Sequence, residues 1–192
     1  LIIPLLSLLV NYLKTISTRE NNNSVIYELI NVSFIVFFIT NIFQIVSSFS
    51  NLIPILSVTS FESAIRYGYV YSLVLIVVPF VYYLIPRIFG REVVYTRIES
   101  ITSFLLKSVI LLSLFITGLI GINSGYSWNA GANAGNPTIF GEGFLITWSL
   151  VSTPYTINLF LSLLLLVGVL LFNVTTFRAI SSGPITEIES VE

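Results

Sequence analysis

No histidine, cysteine or methionine occurs anywhere in the 192 residues. Those three side chains are the common protein ligands of haem, copper and iron–sulfur centres, so most redox and transition-metal chemistry has no direct ligand in this chain. Carboxylates, tyrosines and lysines remain, which serve hard cations or, rarely, a haem iron. Charge is scarce too: Asp, Glu, Lys and Arg make up 9% of the chain, against about 25% in soluble domains. With a net charge of −1 the chain has no basic character that would draw nucleic acid. There is no phosphate-binding glycine loop, no nucleophile elbow, no acid pair with hydrolase spacing and no internal repeat.

What is present is apolar. Hydrophobic residues make up 55% of the chain and the mean hydropathy is +0.96, which predicts an all-α, polytopic transmembrane bundle. Five spans are expected, at about 1–16, 26–46, 66–86, 101–122 and 150–172, the first being close to the lower length limit. Many of the ten tyrosines fall near the ends of these runs, where interfacial aromatic belts form. Residues 1–180 form the membrane domain in this reading, and 181–192 a disordered acidic tail. Leu1 already lies inside an apolar run and no methionine precedes it, so the sequence is expected to be processed or a piece of something longer.

The charges predict an orientation. Lys14, Arg19, Arg87, Arg91, Arg97 and Arg178 fall on one side of the five spans, and the intervening stretches 47–65 and 123–149 carry no Lys or Arg. The positive-inside rule then puts the N-terminus outside and the C-terminus inside. The stretch from Gly121 to Gly143 reads as a long outer loop rich in Gly and Asn, with Trp128 and Trp148 in or beside it. A loop of that length is usually functional or covered by a partner, and its tryptophans suit docking.

Charged residues in or beside a span are candidates for function. Lys107 is the deepest and is the one candidate for an ion or proton path. A lysine so near the inner boundary can instead extend its ammonium to water, which favours a structural role. Glu62 and Arg66 are spaced for a helical ion pair at the outer start of the third span, and are also candidates for docking an anionic partner group. Glu28 suits a helix N-terminus. Gln44, Ser47 and Ser48 are expected to bond between helices, Pro79 and Pro154 to kink theirs, and Gly118 and Gly121 to mark close packing. The sequons at Asn22, Asn31 and Asn173 fall on the inner side or within helices, where glycosylation does not occur.

One stretch resembles a known family. Tyr82-Tyr83-Leu84-Ile85-Pro86-Arg87-Ile88-Phe89-Gly90-Arg91 is similar to the helix-ending "YW-L-L-P-x-x-x-G-K/R" stretch of haem–copper oxygen reductase subunit I, especially its B and C types. Leu114-Phe115-Ile116-Thr117-Gly118-Leu119-Ile120, the leucine-rich helix from Tyr155 to Phe177, and Ile3-Pro4-Leu5-Leu6-Ser7-Leu8 also resemble family segments. The resemblance implies the C-terminal five helices of that family's twelve-helix core. It also implies a haem-ligating His-x-His pair at positions that here hold Ala64 and Arg66, and a propionate-binding arginine pair where the chain reads Ile122-Asn123-Ser124-Gly125-Tyr126.

Three functional expectations follow. The leading one is a non-catalytic, oxidase-like subunit of a respiratory electron-transfer complex, in the plasma membrane or another energy-transducing membrane. It would contact lipid and other membrane subunits and bind no cofactor or metal itself, with haem or copper supplied only by companion chains. The second is one part of a split or divergent terminal oxidase whose ligands all lie on companions. The third is a small transporter or channel, for which only Lys107 and scattered Ser and Thr offer a path.

Overall fold

The computed structural model describes residues 2–17, 25–57, 59–91, 93, 97–133 and 139–185. Six helices account for nearly all of them: α1 (Ile2–Ser17), α2 (Val25–Ser47), α3 (Ile53–Leu56), α4 (Ser60–Phe89), α5 (Arg97–Asn133) and α6 (Ile139–Ser182). No strand is present among the described residues beyond one isolated antiparallel bridge, Arg91 to Ile185.

Four of the helices carry apolar stretches long enough to cross a membrane: Val25–Ser47, Ser60–Phe89, Arg97–Ala130 and Val151–Ser182. At 1.5 Å per residue even the shortest, at 23 residues, is about 35 Å long, which exceeds the roughly 30 Å hydrocarbon core. The expected spans at 26–46, 66–86, 101–122 and 150–172 each lie inside one of these helices. The fifth expected span corresponds to α1, whose 16 residues reach only about 24 Å.

Side-chain contacts give the direction of each helix. Ser33 and Asn41 of α2 meet Ser72 and Tyr69 of α4, so that pair is antiparallel. Ser113 and Leu106 of α5 meet Asn158 and Gly168 of α6, another antiparallel pair. Tyr82 of α4 meets Thr175 of α6 in parallel. One end of the bundle therefore collects the C-terminal turns of α4 and α6 with the N-terminal turns of α2 and α5, and brings Arg87, Arg91, Arg97 and Arg178 together (the basic end). The main core lies between α2, α4 and α5 and includes Leu29, Val36, Leu75, Val78, Leu106, Ile110 and Leu114. A smaller cluster of Ile55, Leu56, Phe61 and Ile65 closes the other end.

Local chemistry sets the helix limits. The Thr59 hydroxyl accepts from the Phe61 N–H at 3.3 Å and caps α4. Gly90 ends that helix at φ 60°, a left-handed conformation that a Cβ disfavours, while its N–H reaches the Pro86 carbonyl. Pro79, inside α4, and Pro154, inside α6, are accommodated without ending either helix.

The expected outer connections are shorter than the composition suggested. Within 47–65, α3 and the start of α4 are helical. Of the stretch 123–149, residues 123–133 continue α5 and 139–149 begin α6. Gly121, expected to mark close packing, and Gly125, within the stretch read as a loop, both have a packing role. A Cβ on Gly121 would run into the Phe61 backbone, and one on Gly125 into the Ile55 carbonyl. These two sites lie four residues apart on one face of α5, where missing side chains let α3 and α4 approach. The tail boundary also shifts. Residues 181 and 182 end α6, the Gly183 N–H reaches the Ala179 carbonyl, and the Arg91 guanidinium donates to the Gly183 carbonyl at 3.0 Å. The glutamates at 187, 189 and 192 lie outside the described residues.

Candidate functional site

The polar side chains inside this bundle form a set of pairings between helices. The Ser33 hydroxyl donates to the Ser72 carbonyl at 2.7 Å, and the Tyr69 hydroxyl to Asn41 Oδ1 at 3.3 Å, tying α2 to α4. The Ser113 hydroxyl donates to Asn158 Oδ1 at 2.7 Å, tying α5 to α6. The hydroxyls of Tyr82 and Thr175 lie 3.0 Å apart and tie α4 to α6. Thr40, Thr102 and Thr117 return their hydroxyls to carbonyls one turn back in their own helices. These polar atoms are thus matched between helices or one turn back, which suits helix association in lipid, while the Ser60, Ser103 and Thr176 hydroxyls are buried without a partner.

Lys107, the deepest basic residue of the sequence, pairs with Glu28 of α2. The lysine side chain is 21% exposed and the glutamate 54%, so the pair sits at the rim of the basic end, between the first turns of α2 and the third turn of α5. The two residues are 79 apart in sequence. Their pairing depends on α2 and α5 running parallel, a relation that no local pattern reveals. Glu28 lies in the first turn of α2, as expected of an acid at a helix N-terminus.

Glu62 and Arg66 form the expected i,i+4 ion pair at 2.6 Å on the first two turns of α4. Both side chains are exposed, at 50% and 75%, so solvent screens the pair and it contributes little to the helix. Glu28 and Lys107 lie at the opposite end of the bundle, so the structure does not bring the two charge pairs together.

Trp128 lies on α5 and is 56% exposed. Trp148 falls within α6, its side chain outside the described residues. Both stand on helices rather than on a long free loop. Gln44, Ser47 and Ser48, expected to bond between helices, instead close the end of α2: both serine hydroxyls donate to the Gln44 carbonyl, at 2.9 and 2.7 Å. Short polar side chains at a helix end find their own carbonyls first. Gly118 and Gly121 behave as expected, a Cβ on Gly118 meeting the Phe43 ring at 3.0 Å.

Ala64 and Arg66 stand where the family resemblance implies haem ligands. Ala64 is fully buried, one turn before Gly68 on the same face of α4. A Cβ on Gly68 would collide with the Thr40 side chain, so this face of α4 is closed by α2. Arg66 points away, engaged with Glu62. Neither position fits a haem ligand: Ala64 is fully buried and carries no donor atom, and Arg66 holds a cation.

No family model, curated protein or solved structure matches the chain.

Proposed function

We propose that this chain is a non-catalytic integral membrane subunit that scaffolds or docks partners in a larger membrane assembly. The supporting observation is the division of its surfaces. Inside, four polar pairings tie helices to one another; outside, α6 presents a stripe of Leu159, Leu163, Leu166 and Leu170, each 52% exposed or more. Such a helix suits lipid or the apolar flank of another subunit. In this reading α1 is a fifth span, the basic end faces the cytoplasm by the positive-inside rule, and the N-terminus lies outside.

The finer part of the proposal is that the parent assembly is a respiratory complex and that the scaffold is of the haem–copper oxidase type without its haem ligands. The Pro86 to Arg91 stretch supports it, since Gly90 ends its helix at positive φ and Arg91 follows directly. Purification of the native complex with its visible absorption spectrum is the test. Copurified respiratory subunits, with no haem assigned to this chain, are the expected result. A chain that purifies alone and moves ions in liposomes would overturn the reading in favour of a transporter. A Soret band of the complex together with copurified oxidase subunits would favour the split-oxidase reading.

A further inference from the structure

Arg87 stands near the end of α4 and folds back along it. Its guanidinium carbon lies 4.1 Å from the centre of the Tyr83 ring, one turn earlier in the helix. An arginine at a membrane boundary ordinarily extends its head outward to water. Here the head is turned toward the bilayer, one face on the ring and its N–H edge open. The ion pairs among the described residues are Glu62–Arg66 and Glu28–Lys107, so no carboxylate there compensates Arg87. From the guanidinium, Tyr83, Phe80, Ile76 and Leu73 continue down the same side of α4 at spacings of three and four, each 45% exposed or more. Leu75, Val78 and Tyr82, on the opposite side, are packed into the core.

The dimensions of this stripe match those of one lipid leaflet. With 30 residues α4 is about 45 Å long, close to the full thickness of a bilayer with its headgroups. Arg87 and Tyr83 lie about 3 and 9 Å from its end, and so bracket the headgroup layer. From Tyr83 to Leu73 the stripe runs about 15 Å, the depth of half the hydrocarbon core. It is cationic at the headgroup and apolar below.

We propose that this stripe binds one anionic phospholipid, with its phosphate on the Arg87 guanidinium and an acyl chain along Tyr83, Phe80, Ile76 and Leu73. The planar guanidinium can offer two parallel N–H bonds to a phosphate while its face stays on the tyrosine ring. Charge selects the headgroup. Arg97 and Arg178, exposed at the same end and without an ion-pair partner among the described residues, add to the positive potential. A choline headgroup brings a cation that this end repels, whereas a glycerol headgroup leaves the phosphate charge unopposed. A free phosphate would satisfy the guanidinium alone. The apolar stripe directly beneath it assigns the ligand a hydrocarbon chain.

The inference rests on reading α4 as a membrane span, and the test separates the two. Binding of tritiated dioleoylphosphatidylglycerol to the full chain in detergent micelles is the measurement, with dioleoylphosphatidylcholine as the reference lipid. The anionic lipid is expected to bind about tenfold more tightly or better. Arg87→Gln should weaken it by about ten- to hundredfold, the range for a hydrogen bond to a charged group, and leave the choline lipid nearly unchanged. Arg87→Lys, which keeps the charge but not the fork, should recover only part of that loss. Arg178→Gln should cost about fivefold at most, the weight of one basic residue near an anionic surface. Equal losses from Arg87→Gln and Arg178→Gln would reduce the site to a diffuse field and overturn it. So would displacement of the lipid by millimolar inorganic phosphate or glycerol 3-phosphate, which carry no chain for the stripe. Release of the chain from native membranes by alkaline carbonate would remove the span and the inference together. Retention in the membrane without preference for the anionic lipid would remove the lipid site alone.

Discussion

The two ends of this bundle are held by opposite means. At the basic end helices meet through polar side chains: Lys107 on Glu28, Tyr82 on Thr175, Arg91 on the Gly183 carbonyl. At the other end they meet through missing side chains, with Gly118, Gly121 and Gly125 of α5 against Phe43, Phe61 and Ile55. Polar contacts are adjustable, because a long side chain can re-aim or take a water at the interface. At Gly121 and Gly125 there is no such freedom, since the neighbour is main chain and cannot rotate away. The glycine end is therefore expected to tolerate least, although it carries little charge.

Substitutions can break or sharpen that contrast. The largest effect is expected for Gly121→Leu, which drives a side chain into the Phe61 backbone; destabilisation of about 3 kcal/mol is anticipated, measured by denaturant unfolding in detergent micelles. Tyr82→Phe, at the basic end, should cost about 1 kcal/mol in the same measurement, because the Thr175 hydroxyl keeps its bond to the Phe172 carbonyl. Lys107→Met should cost at most about 1 kcal/mol, since Glu28 remains half exposed to solvent, and the loss should shrink further at high salt. The smallest effect belongs to Ser103→Ala. The Ser103 hydroxyl is buried with no hydrogen-bond partner, so removing it should leave stability within about 0.5 kcal/mol or raise it slightly. A Gly121→Leu variant as stable as Tyr82→Phe would erase the distinction between the two ends.

The same contrast explains what could be read from the sequence. Long apolar runs announce helices because lipid leaves the backbone no other partner, and four such helices are present. The i,i+4 spacing of Glu62 and Arg66 was equally readable, being internal to one helix. Glycine is ambiguous in this respect. Composition places Gly121 and Gly125 in a stretch rich in Gly and Asn that reads as a loop, whereas their four-residue spacing, coupled to bulky Phe61 and Ile55 on other elements, makes them a contact face. That distinction needs the neighbours. The pairs Glu28–Lys107 and Tyr82–Thr175, separated by 79 and 93 residues, lie beyond local patterns altogether, since they depend on which helices run parallel. Of the candidate site residues, Ala64 shows the limit best. A resemblance supplied a position for it, and only the fold shows that it is fully buried, one turn before the point where Thr40 of α2 closes on Gly68.

The contacts that tie the end of α4 to the end of α6 also have a consequence in time. Tyr82 finds Thr175 and Arg91 finds Gly183 only after 93 and 92 further residues, respectively, have been made. At synthesis rates of about 5–20 residues per second, the end of α4 waits roughly 5–20 s for its partners. During that interval a tyrosine and an arginine at the boundary of a newly inserted helix must be sheltered by lipid headgroups, water or the insertion machinery. Arrival of the last helix is thus the event that completes the first half of the molecule as well as the second.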